Sequence, residues 1–234
     1  MSSTEVLILK ELLSAKGDFV SGSRLAESLG ISRVAIWSHM EKLRSQGFNF
    51  EAIRSKGYRL TQRPNALNGA LISASLPRAA EALKIVLREE IDSTNSEAER
   101  LLANDEPAPF LILAKLQTQG RGRFGRVWHS SENGNLYASF AFRPEISPAR
   151  LSTFTLWMGI NICECFNAFF RVQSNIKWPN DIHISGKKVA GILTEARMDA
   201  DQTRDLVLGI GLNINGRAED WPEELQTIAT SIRQ

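Results

Sequence analysis

Gln117-Thr118-Gln119-Gly120-Arg121-Gly122-Arg123-Phe124-Gly125-Arg126-Val127-Trp128 is the stretch on which the fold turns. It contains G-x-G-x-x-G after an apolar run, 111–116, that reads as a strand. A dinucleotide-binding fold would have to open a helix at this point. The residues that follow, Trp128-His129-Ser130-Ser131-Glu132-Asn133-Gly134-Asn135, are turn formers instead. The doubly wound reading is therefore rejected. What is left is chemistry. Three arginines supply fork-shaped donors for carboxylate and phosphate. Three glycines make a loop expected to lack order without a ligand. Taken alone, a solvated basic loop or an RNA-contacting stretch is the competing reading.

Three other segments of the body carry polar or glycine-rich signals. Asp92-Ser93-Thr94-Asn95-Ser96-Glu97 lies between a strand and an apolar helical run. Thr94 and Glu97 have capping-box spacing, so the segment reads as a helix start. Its clustered donors and acceptors also suit a small polar ligand group. Ile176-Lys177-Trp178-Pro179-Asn180-Asp181 passes through a turn into a hairpin around Ser185-Gly186, followed by Lys187-Lys188-Val189-Ala190-Gly191-Ile192-Leu193. Successive strand side chains face opposite ways, so Lys187 and Lys188 cannot share a pocket, and the pattern does not say which faces in. Gly209 and Gly211 alternate along an apolar strand ending at Asn213 and Asn215, which leaves room for a close neighbour.

The N-terminal part differs. Val6, Leu9, Leu12 and Leu13 recur at helical spacing, a second helix fits 23–29, and Gly30 ends it. Ser32 can cap a third helix whose inner stripe is Ile36, Met40 and Leu43. Two helices joined by a tight glycine-containing turn form a helix-turn-helix. If that stripe faces inward, Ser32, Arg33, Trp37 and Ser38 face out, where a recognition helix meets base edges. Phe48, Phe50 and Ala52, then Tyr58 and Leu60, alternate at strand period around a turn bearing Arg54 and Lys56, a β-wing suited to phosphate contact. Residues 21–63 hold eight Lys/Arg against three acids, whereas 64–234 hold 18 against 20. A basic head on a near-neutral body suggests that the head meets a polyanion. Pro64-Asn65 closes the head. Residues 67–76 read as a short helix and 79–83 as a further turn. The division is 1–63 head, 64–84 linker and 85–234 body.

At 43% hydrophobic and 23% charged, the 234 residues can build a sizeable core. No apolar stretch approaches the ~18–20 residues of a membrane span, and the N-terminus lacks a secretory pattern. The two cysteines, Cys163 and Cys165, point apart on a helix and lack ligand partners at zinc spacing, so they read as small buried hydrophobes and no metal site is expected. A cytoplasmic protein is expected.

In this order, DSTN at 92–95, GRGRFGRVW at 120–128, KWPND at 177–181, KKVAGIL at 187–193 and GIGLNIN at 209–215 closely resemble the biotin–protein ligase family in its bifunctional ligase–repressor form. The head matches as well, through SRVAIWSHMEKL at 32–43. The resemblance implies an α+β chain with a winged helix-turn-helix and a central mixed β-sheet with helices on one side, the class II synthetase-like biotin/lipoate ligase fold. Biotin and ATP are then the substrates, with Mg²⁺ accompanying ATP. Biotinyl-5′-AMP forms, and biotin passes to a lysine of the biotin carboxyl carrier protein of acetyl-CoA carboxylase. The resemblance places biotin contacts at Ser93, Thr94, Asn95, Gln117, Arg121, Gly122, Arg123 and Lys188, which selects Lys188 over Lys187. Arg123 and Lys188 become the catalytic cations, and Gly120, Asn180, Gly191 and Asn213 complete the expected site. The DNA-binding set is Ser32, Arg33, Trp37, Ser38, Arg54 and Lys56. A homodimer through the sheet edge, coupled to ordering of the 120–128 loop, and operator DNA are the other expected partners. The family usually continues into a small SH3-like domain, and the sequence given, which ends at Ser231-Ile232-Arg233-Gln234, is expected to lack it. The alternatives are an effector-sensing repressor without ligase turnover and a lipoate–protein ligase relative. Arg123 and Lys188 weigh against the first, and the intact loop and KWPND motifs against the second.

Overall fold

The computed structural model describes residues 3–131, 134–144, 147–199 and 202–234. It divides into two compact units, Met1–Leu83 and Lys84–Gln234.

In the first unit, α1 (Thr4–Ser14), α2 (Gly22–Leu29) and α3 (Arg33–Ser45) precede a hairpin of β1 (Asn49–Ile53) and β2 (Gly57–Gln62). Each helix starts where a serine accepts a backbone N–H: Ser3 from Val6, Ser21 from Ser23 and Ser32 from Ala35. Gly30 ends α2 in the left-handed conformation, φ 65°, which an L side chain resists. Ile36, Met40 and Leu43 are buried against Ile8, Leu9, Leu12, Leu25 and Phe48. The wing follows the expected alternation except that Ala52 is exposed. A fourth helix, α4 (Gly69–Ser75), places Ala70, Leu71 and Ala74 on this same core, so the 64–84 stretch contributes packing to the unit as well as connection.

The second unit is built on a seven-stranded sheet. Its strands are β3 (Lys84–Ile91), β4 (Phe110–Gln117), β5 (Leu136–Phe142), β6 (Asn175–Lys177), β7 (Asp181–Ile184), β8 (Lys187–Asp199) and β9 (Gln202–Leu212). The order is β3-β4-β5-β9-β8-β7-β6, with β3 and β4 parallel and every other pair antiparallel. The sheet is therefore mixed, as expected.

The helices are not on one side. From α5 (Thr94–Ala103), Ala98 and Leu102 pack with Phe110, Ile112, Ala141 and Val207. From α6 (Leu151–Cys165), Phe154, Met158 and Ile162 pack with Phe140, Ile192, Leu208 and Ile210. Val207 and Leu208 are adjacent on β9 and must face opposite ways. Each face thus has its own helix, which is why β4 and β9 carry continuous buried runs instead of alternating ones.

The cysteines depart from expectation too. Both are free, but Cys163, which packs against the α6 core, is only partly buried, and Cys165, pointing away from it, is exposed. No helix among the described residues is long and apolar enough to cross a membrane.

Candidate functional site

The α5 face of the sheet leaves a gap beyond the helix N-terminus. Two rows of paired residues floor it: Ile112, Ser139, Gly209 and Leu193, then Ala114, Tyr137, Gly211 and Gly191. Large side chains there would fill the space, and glycine keeps it open. A Cβ on Gly209 would overlap Asn95, reaching 2.9 Å from its Cγ. On Gly191 or Gly211 it would come within 2.8 or 2.6 Å of the Trp128 ring. The indole is seated directly on this glycine pair.

The resulting cavity, about 650 Å³, is of a size that takes a small-molecule ligand. It is lined by Ser93, Thr94, Asn95, Gln117, Arg121, Gly122, Arg123, Asn180, Lys188, Gly191 and Asn213. Every expected ligand-site residue lies there except Gly120. That glycine acts behind the wall: its carbonyl accepts Trp128 N–H at 2.8 Å, and a Cβ would press on the Trp128 carbonyl oxygen at 2.5 Å. Lys188 lines the cavity while Lys187 is exposed.

The polar floor is ordered by long-range bonds. Thr94 donates its backbone N–H (2.8 Å) and its hydroxyl (3.0 Å) to Gln117 Oε1. Ser139 Oγ lies 2.7 Å from Thr94 Oγ1 and 2.6 Å from Asn95 Oδ1. Asn95 Nδ2 donates to Glu195 Oε2 at 2.7 Å. Ser93, Thr94, Asn95 and Ser139 are all buried. The capping box expected at Thr94 and Glu97 does not form. Ser93 is the N-cap and makes no side-chain cap bond, Gln117 from β4 supplies the acceptor, and Glu97 accepts from Arg88 and Arg100.

Just ahead of the helix, Arg100 donates two 2.8 Å bonds to Asp92. These bonds, set against partial burial and helped by the Ser93 N–H, hold the Asp92 carboxyl at about 2 instead of its ordinary 3.8. Because the folded value is the lower one, the pair stabilises the fold above about pH 4, and that contribution is lost as pH falls toward 2. The gap in melting temperature between the native chain and Asp92→Asn should therefore be widest near neutral pH and narrow across that window. A gap that stays constant with pH would refute the assignment.

The 120–128 loop takes the form of a compact turn: Trp128 N–H donates to Gly120 O, Gly122 N–H to Arg126 O at 2.7 Å, and Arg121 bridges Val127. Phe124 takes φ 57° at its tip. Arg123 Nη1 reaches Asn180 Oδ1 at 3.3 Å, and Asn180 is itself anchored to Ile192 through both backbone and side chain. Lys188 Nζ is 2.8 Å from Asp181 Oδ1 and 5.2 Å from the Trp128 ring centre. Lys188 also bonds the chain's last segment, donating its N–H to Ile228 O and accepting from Thr230 N–H. The cavity thus has a polar floor, an aromatic wall and a cluster of cations, Arg121, Arg123 and Lys188 among them.

Residues 87–213 match the biotin/lipoate A/B protein ligase family, and residues 6–59 match a helix-turn-helix domain. The chain belongs to the biotin/lipoate A/B protein ligase family. It is 40% identical to the bifunctional ligase/repressor BirA of Bacillus subtilis over 100% of this chain and 72% of that one. To BirA of Escherichia coli it is 35% identical over 86% of this chain and 61% of that one. The biotin protein ligase of Aquifex aeolicus, solved in complex with biotin and ATP, superposes with a TM-score of 0.53 at 34% identity, covering 64% of this chain and 59% of that one.

Within this ligase-family site, Ser139, Glu195, Asp181 and the face of Trp128 were not singled out from the sequence. Ser139 did leave a signal, as the polar residue in the apolar strand Leu-Tyr-Ala-Ser-Phe-Ala-Phe.

In the first unit, Ser32, Arg33, Trp37, Ser38, Arg54 and Lys56 are all exposed. The Ser32 oxygen is occupied by its cap bond to Ala35 N–H. Val34, 76% exposed beside Arg33, belongs to the same outward face and was missed because a valine in a helix reads as core.

Proposed function

We propose that the second unit joins biotin to AMP and passes it to a lysine of biotin carboxyl carrier protein, while the first unit binds operator DNA as a repressor. The observation that carries the ligase reading is the single cavity in which the 92–95, 120–128, 177–181 and 187–193 segments meet. Two bonds from Thr94 occupy Gln117 Oε1, so Gln117 Nε2 is left to donate to a ligand acceptor, beside a Ser93 hydroxyl that makes no cap bond. These groups suit the ureido ring of biotin, and Trp128 supplies the apolar wall.

The biotin carboxylate must then approach the α-phosphate of ATP, anion against anion. Arg123 and Lys188 lower that repulsion and stabilise the charge that builds as the carboxylate oxygen bonds to phosphorus and pyrophosphate leaves. The acceptor lysine amine next attacks the acyl carbon and AMP departs. No cluster of three metal-ligating side chains occurs among the described residues. Mg²⁺ would enter with the ATP phosphates and water, and Asp181, paired with Lys188 on the cavity wall, is the side chain that would contact it.

The deciding experiment supplies biotin, MgATP and a carrier domain and follows biotin attached to the acceptor. Failure to label the acceptor, with adenylate formed, would leave a sensor that does not ligate. Failure to form adenylate would end the ligase reading.

For the first unit, the outward face of α3 would enter the major groove and the Arg54–Lys56 turn would meet phosphates. Arg33→Ala should cost about 1–3 kcal/mol of operator binding and relax base preference. Lys56→Ala should weaken all sequences alike and lower the salt slope by about one. The same loss from both variants on every sequence would refute the division of roles.

We also infer a homodimer formed through a sheet edge. The sheet ends in β3 on one side and β6 on the other, and β3 offers the longer edge.

A further inference from the structure

Arg121 does not reach for an anionic ligand in this structure. Its Nη2 lies 2.9 Å from Glu195 Oε2 on β8 and 3.1 Å from Glu99 Oε2 on α5. The same Glu195 oxygen accepts from Asn95 Nδ2, and Asn95 is 4% exposed with its Oδ1 against Ser139. One carboxylate oxygen therefore joins the floor of the cavity to the loop that roofs it.

We propose that Glu195 is a positioning residue, which pins the 120–128 loop through Arg121 and so sets Arg123 over the cavity. Gly122 donates to Arg126 and Gly120 accepts from Trp128, so Arg121 and Arg123 belong to one hydrogen-bonded turn. Fixing Arg121 therefore fixes Arg123 two residues on. The far end of the loop has little to hold it: Phe124 is 88% and Val127 83% exposed, and Arg123 reaches Asn180 only at 3.3 Å. Asn95 plays the matching part below. Its amide nitrogen donates to Glu195 and its oxygen lies against Ser139, so it holds Glu195 in place from the cavity floor.

This assignment rests on the cavity being the biotin site for its effect on ligand, but not for its effect on the loop. Two measurements separate these. The first is the rate of tryptic nicking at Arg123 and Arg126 in the full chain without ligand. The second is biotin affinity by calorimetry. The variants are Glu195→Ala, Glu195→Gln, Arg121→Met and the Glu195→Ala/Arg121→Met pair.

Nicking should rise about fivefold in Arg121→Met, the scale of a partly exposed charged contact, by less in Glu195→Ala, where Glu99 still holds Arg121, and no further in the pair than in Arg121→Met. Glu195→Gln, which keeps an acceptor for both partners, should recover part of the protection. Biotin affinity should fall by a similar factor while the maximal rate at saturating biotin changes less. Unchanged nicking in a folded Glu195→Ala chain, or effects that multiply in the pair, would overturn the proposal. Should Glu195→Ala fail to fold, Arg121→Met, whose side chain is 38% exposed, decides the matter. If the native chain binds no biotin, the ligase reading falls, and the nicking comparison still decides the tether.

Discussion

Lys188→Met should slow accumulation of labelled biotinyl-AMP by roughly 10²–10³-fold, the loss seen when one preorganised charge-stabilising group is removed. Lys188 sits at the start of β8, lines the cavity and holds Asp181 at 2.8 Å. Replacing it takes away a cation at the point where carboxylate and phosphates must meet, and it leaves Asp181 as an uncompensated negative charge on the same wall. Both changes oppose the approach of a second anion. The control lies one residue away. Lys187 is exposed, and Lys187→Met should leave adenylate formation within about twofold, as surface substitutions generally do. Single-turnover formation of adenylate at saturating biotin and ATP measures the step without product release. Equal losses from the two variants would show that the rim charge acts only at long range, and no loss from Lys188→Met would remove it from the chemistry.

That the facing lysine was not readable from alternation has a physical cause. The pairing of β7 with β8 shifts register between Ile182 and His183, so strand parity does not carry through the hairpin. The hairpin itself was legible, because Ser185 and Gly186 both take positive φ at the turn. The head was legible in the same local way: caps at Ser32 and Gly30 and the stripe Ile36, Met40 and Leu43 act within one helix or its neighbour.

The floor of the cavity was not. Thr94 and Glu97 have the spacing of a capping box, yet Gln117 from another strand takes the helix N–H, and nothing in the local pattern reports that. Asn95 lines the cavity, but the partners that hold it, Ser139 on β5 and Glu195 on β8, lie far from it in the sequence. The second helix layer was missed for a related reason. The run Leu206-Val207-Leu208 says that both faces of β9 are buried, and only the packing says that α5 and α6 divide them.

Gly209→Ala is expected to damage folding and binding together. The added methyl would overlap the Asn95 side chain, which cannot step aside cheaply. Asn95 is buried, its oxygen 2.6 Å from Ser139 and its nitrogen 2.7 Å from Glu195. Moving it strands buried polar atoms, and keeping it compresses the floor. Overpacking of this kind costs about 1–3 kcal/mol in denaturant unfolding. Biotin affinity should fall as well, since moving Asn95 misaligns the Thr94, Asn95 and Gln117 array. Gly211→Ala separates the two effects. Its methyl meets the Trp128 ring, which belongs to the loop and can lift, so affinity should fall while the unfolding midpoint holds. Gly186→Ala isolates backbone strain. Gly186 has φ 80° with open space around its Cβ, so it should lose about 1 kcal/mol of stability and leave biotin binding intact. If Gly209→Ala behaved like Gly186→Ala, the close approach of Asn95 to the sheet would not be what shapes the site.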